Sequence, residues 1–210
     1  MVHLYAADIS RLPDPKENPV LLDELDVDRK CKIMKYIRAE DRKQSLGAGL
    51  LLNRILPRYG SSPASIRIGA AGKPEVDGIF FNLSHSGNIV ICGTAEKEVG
   101  CDVEKIVEAP EGVAERFFHP SETAYVNTCV GEERDHRFFQ IWTMKESYIK
   151  MTGEGMNLAF DRFEVLSDSG KVRRDGKLLS CRIMEYEIPG YKVSVCTEES
   201  VRPVEYIRFG

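Results

Sequence analysis

Apolar positions recur along this chain in two rhythms, and the switch between them sets its layout. Residues 3–9 alternate as an opening strand, and a linker holding Pro13, Pro15 and Pro19 follows. Residues 20–57 read as mostly helical. Their strongest piece is 38–56, where Leu46, Leu50 and Leu51 fall at helical spacing and Pro57 closes the run. Residues 61–71 read as loop and short strand, and Gly72-Lys73-Pro74 as a turn, because Pro74 biases Lys73 away from helix. Period-two strands come next at 79–84 and 88–95. A turn at Glu96-Lys97-Glu98 then leads into a strand through Val99-Gly100-Cys101-Asp102-Val103-Glu104.

A break at residues 108–112 divides the pattern into halves, 1–107 and 108–210. In the second half 113–118 reads as a helical turn, and Pro120 and Glu122 suit the first turn of the next helix. Residues 138–151 form a second long helix closed near Gly153. Strands follow at 163–166, 178–186 and 191–197, with a hairpin turn at Pro189-Gly190. Each half is thus a long helix with short antiparallel strands, an α+β pattern of two similar lobes without a sequence repeat between them.

Composition narrows the function classes. The chain has 210 residues, 42% hydrophobic and 30% charged, enough for a substantial core. A formal net charge of -4 gives no overall pull toward nucleic acid or an anionic membrane. The cysteines at 31, 92, 101, 129, 181 and 196 form no C-x-x-C pair and read as buried reduced thiols. Met1 is followed by no basic and apolar leader, and no apolar run reaches the roughly 20 residues of a membrane span. A cytoplasmic protein is expected.

The candidate chemistry lies in two short blocks. On a strand, Asp102 and Glu104 point to one face. In Trp142-Thr143-Met144-Lys145-Glu146-Ser147-Tyr148-Ile149-Lys150, helical spacing puts Trp142, Glu146 and Lys150 on one side. Each block has an ordinary reading, a solvated strand face and a surface ion pair. If they meet, three carboxylates and an ammonium converge, a donor set suited to Mg²⁺ and a phosphate ester. Asn82-Leu83-Ser84-His85-Ser86 reads as a strand running into a polar turn able to donate to phosphate oxygens. The chain has no G-x-S-x-G to support a serine hydrolase. Arg38, Arg42 and Lys43 give the first long helix a basic start, either a solvated face or, with Lys73, a grip on a multiply charged phosphate.

Four blocks in order, Gly72-Lys73-Pro74, Phe81 to Ser86, Val99 to Lys105 and Phe139 to Lys150, resemble the 4′-phosphopantetheinyl transferases of the surfactin-synthetase type. Arg116 to Glu122 resembles that family's connecting segment. The resemblance implies a pseudo-symmetric monomer of two α+β lobes with coenzyme A in the cleft between them. It implies Mg²⁺, with Mn²⁺ an alternative, on Asp102, Glu104 and Glu146. Lys150 would meet a phosphate oxygen, and Lys73, Pro74, Ser84 and His85 would lie along the nucleotide and its 3′-phosphate. Lys43, with Arg42 beside it, is the nearest match to the family's basic residue on the first helix. The implied reaction moves phosphopantetheine from coenzyme A to a serine of an apo acyl- or peptidyl-carrier protein, with Glu146 as proton acceptor and Asp102 and Lys150 also catalytic. The carrier would dock on the segment after Phe117 and the helix from Glu122. Two other readings use the same residues: a Mg²⁺-dependent phosphodiesterase or nucleotidyl transferase, and a non-catalytic homologue that binds coenzyme A or a carrier.

Overall fold

A computed structural model describes residues 1–69 and 72–209. In chain order its elements are β1 (His3–Asp8), α1 (Val27–Lys35), α2 (Ala39–Ile55), β2 (Arg67–Ile68), β3 (Pro74–Glu75), β4 (Phe80–Ser86), β5 (Ile89–Ala95), β6 (Val99–Lys105), α3 (Val113–Phe117), α4 (Pro120–Asn127), α5 (Glu132–Thr152), β7 (Phe163–Leu166), β8 (Lys171–Arg174), β9 (Lys177–Ile188), β10 (Tyr191–Thr197) and β11 (Glu205–Tyr206). The strands form one sheet in the order β11-β1-β5-β4, a second in the order β6-β10-β9-β8-β7, and the small pair β2-β3.

Strand alternation builds four layers. On β1 and β5, Tyr5, Ala7, Val90 and Cys92 face α2 and its Leu46, Leu50 and Leu51. The intervening Leu4, Ala6, Ile89 and Ile91 meet Val99, Cys101, Val103, Val193 and Val195 of the second sheet. The far side of that sheet packs Val172, Cys181, Ile183 and Cys196 against Phe138, Ile141 and Met144 of α5. The order is helix, sheet, sheet, helix. The architecture is the α+β arrangement expected from the sequence, with each sheet covered by one long helix.

The chain does not divide at the sheets as it does along the sequence. Strand β6 follows β5 directly but pairs with β10, Asp102 opposite Ser194, so the strand of the two carboxylates is an edge of the second sheet. In return β11, near the C-terminus, runs parallel to β1, with Tyr5 opposite Glu205.

Several local expectations shift. Helix α5 starts at Glu132 rather than 138. Its first turns carry charges instead of an apolar stripe, and Glu132, Glu133 and Asp135 favour the positive helix N-terminus. Beyond α2, Leu56–Tyr59 continues as a 3-10 turn through Pro57, and Gly60 at φ 73° ends it. Strand β4 keeps Ser84, His85 and Ser86 within it, and the turn falls at Gly87. The strands β2, β3 and β11 are two residues long and too short to register as periodic runs, and β8, Lys171–Arg174, carries three basic residues in four. Of the segment 61–71, residues 70 and 71 lie outside the described residues. All six cysteines are free, but Cys31 is exposed rather than buried and Cys129 is half-buried. Among the described residues no helix is long and apolar enough to cross a membrane.

Candidate active site

The site forms where β4 and β6, the facing edges of the two sheets, run side by side. Period two puts Asn82, Ser84 and Ser86 on one side of β4, and each bonds to β6. Asn82 Oδ1 accepts from Cys101 N at 3.0 Å, and Ser84 Oγ donates to Asp102 Oδ1 at 2.7 Å. Ser86 Oγ donates to Glu104 Oε2 at 2.7 Å and accepts from Lys105 N at 3.1 Å. Side chains thus stitch a seam that backbone pairing leaves open, and both carboxylates are oriented by it.

Helix α5 closes the seam. A methyl at position 100 would overlap Ser147 O and Met151 N, so Gly100 lets the helix backbone rest on β6. That contact brings Lys150 Nζ to 2.5 Å from Asp102 Oδ1 and 3.1 Å from Ser84 Oγ. Burial works against the Lys150 charge, but Asp102 outweighs it and holds the ammonium above its ordinary pKa. Asp102 is 2% exposed, and its Oδ2 is buried with no hydrogen-bond partner. Burial also raises Glu104, against the Ser86 hydrogen bond and with help from the Asp102 charge. Glu146 rises for the same first reason, Lys150 opposing and Asp102 adding.

Asp102, Glu104, Glu146 and Lys150 line one cavity of about 440 Å³, which Arg29 and Lys32 of α1 and Tyr36 just beyond it also line. A second cavity of about 780 Å³ shares Pro74, Leu83, Trp142, Glu146 and Lys150 with it and extends past Phe117, Leu158 and Phe160. A polar chamber therefore opens onto an apolar one across Trp142, Glu146 and Lys150. As placed, no three His, Cys, Asp or Glu side chains among the described residues are gathered tightly enough to hold a metal ion. The donor set is nevertheless all hard oxygen, and Asp102 Oδ2 is an acceptor awaiting a partner.

A family model described as the 4′-phosphopantetheinyl transferase superfamily matches residues 98–196, a span containing all four of these residues. Over 203 residues the chain is 32% identical to the 4′-phosphopantetheinyl transferase ffp of Bacillus subtilis, covering 92% of this chain and 91% of that protein. The chain belongs to this transferase superfamily. It is also 29% identical over 208 residues to the Bacillus subtilis transferase Sfp, at 92% and 91% coverage. Against the transferase gsp of Aneurinibacillus migulanus it is 33% identical over 171 residues, 78% of this chain and 72% of that one. The protein is an enzyme of the 4′-phosphopantetheinyl transferase class, of the Sfp type.

Within this transferase the remaining site candidates separate. Ser84 and His85 both line the polar chamber. The Ser84 proton goes to Asp102, and burial, then the Lys150 charge, lowers the His85 pKa. Pro74 lines both cavities. Lys73 lines the apolar one, but its ammonium is engaged by Glu98 Oε2 at 2.5 Å, Met151 O at 3.2 Å and Val99 O at 3.4 Å. Lys43 Nζ reaches Ser10 O at 3.3 Å and lines neither cavity.

Arg42 departs from the expectation altogether. It is 6% exposed, forms a two-pronged ion pair with Asp14, and donates to Tyr36 O and Ile37 O at 3.0 and 2.6 Å. These bonds tie the guanidinium to the α1-α2 connection. That pair has a measurable consequence. The Arg42 hydrogen bonds pull the Asp14 carboxyl from 3.8 to about 2. A depressed carboxyl stabilises the fold above its unfolded pKa and loses that contribution as pH falls through the folded one. Asp14→Asn is therefore expected to lower denaturant stability at pH 7, with the gap from the parent protein closing between pH 3.8 and about 2. A gap independent of pH would show the pair to be inert.

Sequence reasoning missed Arg29, Lys32, Tyr36 and Ser45, all at the polar chamber. Arg29 and Lys32, three apart on α1, share a helix face, which was the signal available. Burial lowers the pKa of both, and for Lys32 the Arg29 charge adds to it.

Proposed function

We propose that the protein transfers the 4′-phosphopantetheine arm of coenzyme A to a serine hydroxyl of an apo acyl- or peptidyl-carrier protein, releasing adenosine 3′,5′-bisphosphate. We propose further that Asp102, Glu104 and Glu146 hold Mg²⁺, or Mn²⁺ in its place. The observation that carries the reading is Asp102 Oδ2, buried without a partner in a chamber that two more carboxylates and Lys150 line. Hard oxygens in that number suit a small divalent ion that also takes phosphate oxygens. When bound, the ion supplies charge neutralisation on the diphosphate.

The side chains then divide the work. Glu146, its pKa raised by burial, takes the proton of the serine hydroxyl as the serine oxygen bonds to the β-phosphorus. The bond from that phosphorus to the bridging oxygen breaks, and its electron pair leaves on the nucleotide phosphate. Lys150 stabilises the negative charge that develops on the phosphoryl oxygens. Arg29, Lys32, Ser84 and His85, all lining the polar chamber, face the nucleotide phosphates. Pro74 and the loop that Lys73 fastens frame the entrance. The apolar chamber across Trp142 takes the pantetheine arm, and Phe117, 40% exposed at α3, supports carrier docking on that side.

Both chambers are lined within one chain, which supports a working monomer whose lobes, 1–107 and 108–210, each supply part of the site. The net charge of -4 supports an enzyme without nucleic-acid or membrane partners, and we propose the cytoplasm as its compartment.

The test is the intact mass of an apo acyl-carrier protein after incubation with this protein, coenzyme A and Mg²⁺, repeated on an apo peptidyl-carrier protein. A gain of one phosphopantetheine arm, blocked by a chelator, is expected. No gain on either carrier would overturn the reading.

A further inference from the structure

We infer that Lys150 stands in for the cation in the ligand-free enzyme, so that metal and coenzyme A bind as a coupled pair and the metal alone binds weakly. This rests on the metal site proposed above. The ammonium lies 2.5 Å from Asp102 Oδ1 and 3.1 Å from Ser84 Oγ, whose own proton goes to the same Asp102 oxygen. Among the described residues, Lys150 forms an ion pair with Asp102, and no Lys or Arg pairs with Glu104 or Glu146. Among the described residues Lys150 is therefore the Lys or Arg in an ion pair with this wall of three carboxylates, while Arg29 and Lys32 line the chamber without pairing to it.

A divalent ion entering while Lys150 stays in place meets an ammonium already bound to its best-buried ligand. The two cations would share Asp102 at short range, in a setting where water screens poorly. Asp102 Oδ1 is taken, and Oδ2 alone is free. A diphosphate changes the balance. Lys150 carries its charge on a flexible four-carbon stem, and Lys150, Glu146 and Trp142 border both chambers. With phosphate oxygens beside it, the ammonium has a second partner and can leave Asp102, whose carboxylate would then be free to hold the metal. The two states are Lys150 on Asp102 and Lys150 on phosphate. Each ligand favours the second, so each must raise the affinity of the other by the same factor.

Binding of Mn²⁺, followed by the paramagnetic signal of the free ion, separates the possibilities without any turnover, because no carrier is present. The parent protein, Lys150→Met and Lys150→Arg are each titrated with and without coenzyme A, beside a titration of coenzyme A alone. The parent should bind Mn²⁺ weakly by itself, and roughly tenfold or more tightly with coenzyme A once the metal held by free coenzyme A is subtracted. Lys150→Met should bind Mn²⁺ about tenfold more tightly than the parent without coenzyme A, and Lys150→Arg, which keeps the charge, should not. Circular dichroism melting checks that the variants fold, and Lys150→Gln replaces the methionine variant if it does not. Equal Mn²⁺ affinity of parent and neutral variant without coenzyme A would overturn the inference and leave the metal site standing. No protein-bound Mn²⁺ in the parent with coenzyme A, nor in the neutral variant, would overturn the metal site itself.

Discussion

Asp102→Asn is expected to cut transfer of phosphopantetheine to a carrier by on the order of 10³-fold or more, about 4 kcal/mol of transition-state stabilisation, while the protein stays folded. The two effects separate because of how Asp102 is placed. Its Oδ1 accepts from Lys150 and Ser84, and an asparagine carbonyl can accept from both in the same geometry. Its Oδ2 has no partner, so an amide nitrogen there displaces no existing bond. What disappears is the charge, and with it the proposed metal ligand nearest the centre of the seam. The neutral residue also leaves Lys150 without its counter-charge, which costs some stability but frees the ammonium for phosphate, so the loss of activity falls on the metal. Holo-carrier formation measured alongside thermal melting checks the split. Near-parental turnover would remove Asp102 from the chemistry. A collapse of the melting transition would make it a folding residue instead.

Much of this arrangement was legible in the residues. The alternation around Asp102 and Glu104, and the helical spacing of Trp142, Glu146 and Lys150, are local properties, and the structure keeps both faces as spaced. Where the sequence fell short, the missing information was tertiary. Nothing in the spacing of β5 and β6 says that β6 leaves its hairpin neighbour to pair with β10, because both strands present the same alternation to either partner. Ser84 and Ser86 read equally well as phosphate donors. Only the neighbouring β6 shows their protons going to Asp102 and Glu104. Arg42 and Lys43 are adjacent basic residues on one helix, and only the structure shows Asp14 of the Pro-rich linker pairing with Arg42. Arg29 and Lys32 reach the chamber because α1 packs beside α2, a contact no periodicity in α1 encodes.

The first lysine of the tryptophan helix has a different fate from the second, and its loss should be felt in stability rather than in chemistry. Lys145 is fully buried, with Nζ 2.8 Å from Glu122 Oε1, 2.7 Å from Glu122 Oε2 and 2.8 Å from Phe163 O. It also lies 4.1 Å from the centre of the Phe163 ring. Glu122 in turn accepts from Val165 N at 2.6 Å and His119 N at 2.8 Å, so one ion pair ties α5 to the start of α4 and to β7. Burial raises the Glu122 pKa and lowers that of Lys145, and each partner offsets the other's loss of hydration. Removing one charge alone strands the other. Lys145→Met is therefore expected to cost about 3–5 kcal/mol of folding stability. Adding Glu122→Gln removes the stranded charge but keeps an acceptor for the backbone donors, so the double variant should recover part of that loss. Lys145 lines neither chamber, so transfer activity per folded molecule should remain close to the parent's. Denaturant titrations of the parent, both single variants and the double variant decide it. Strictly additive losses would mean that the two side chains act through packing, and that the charges contribute nothing to holding α4 and β7 on α5.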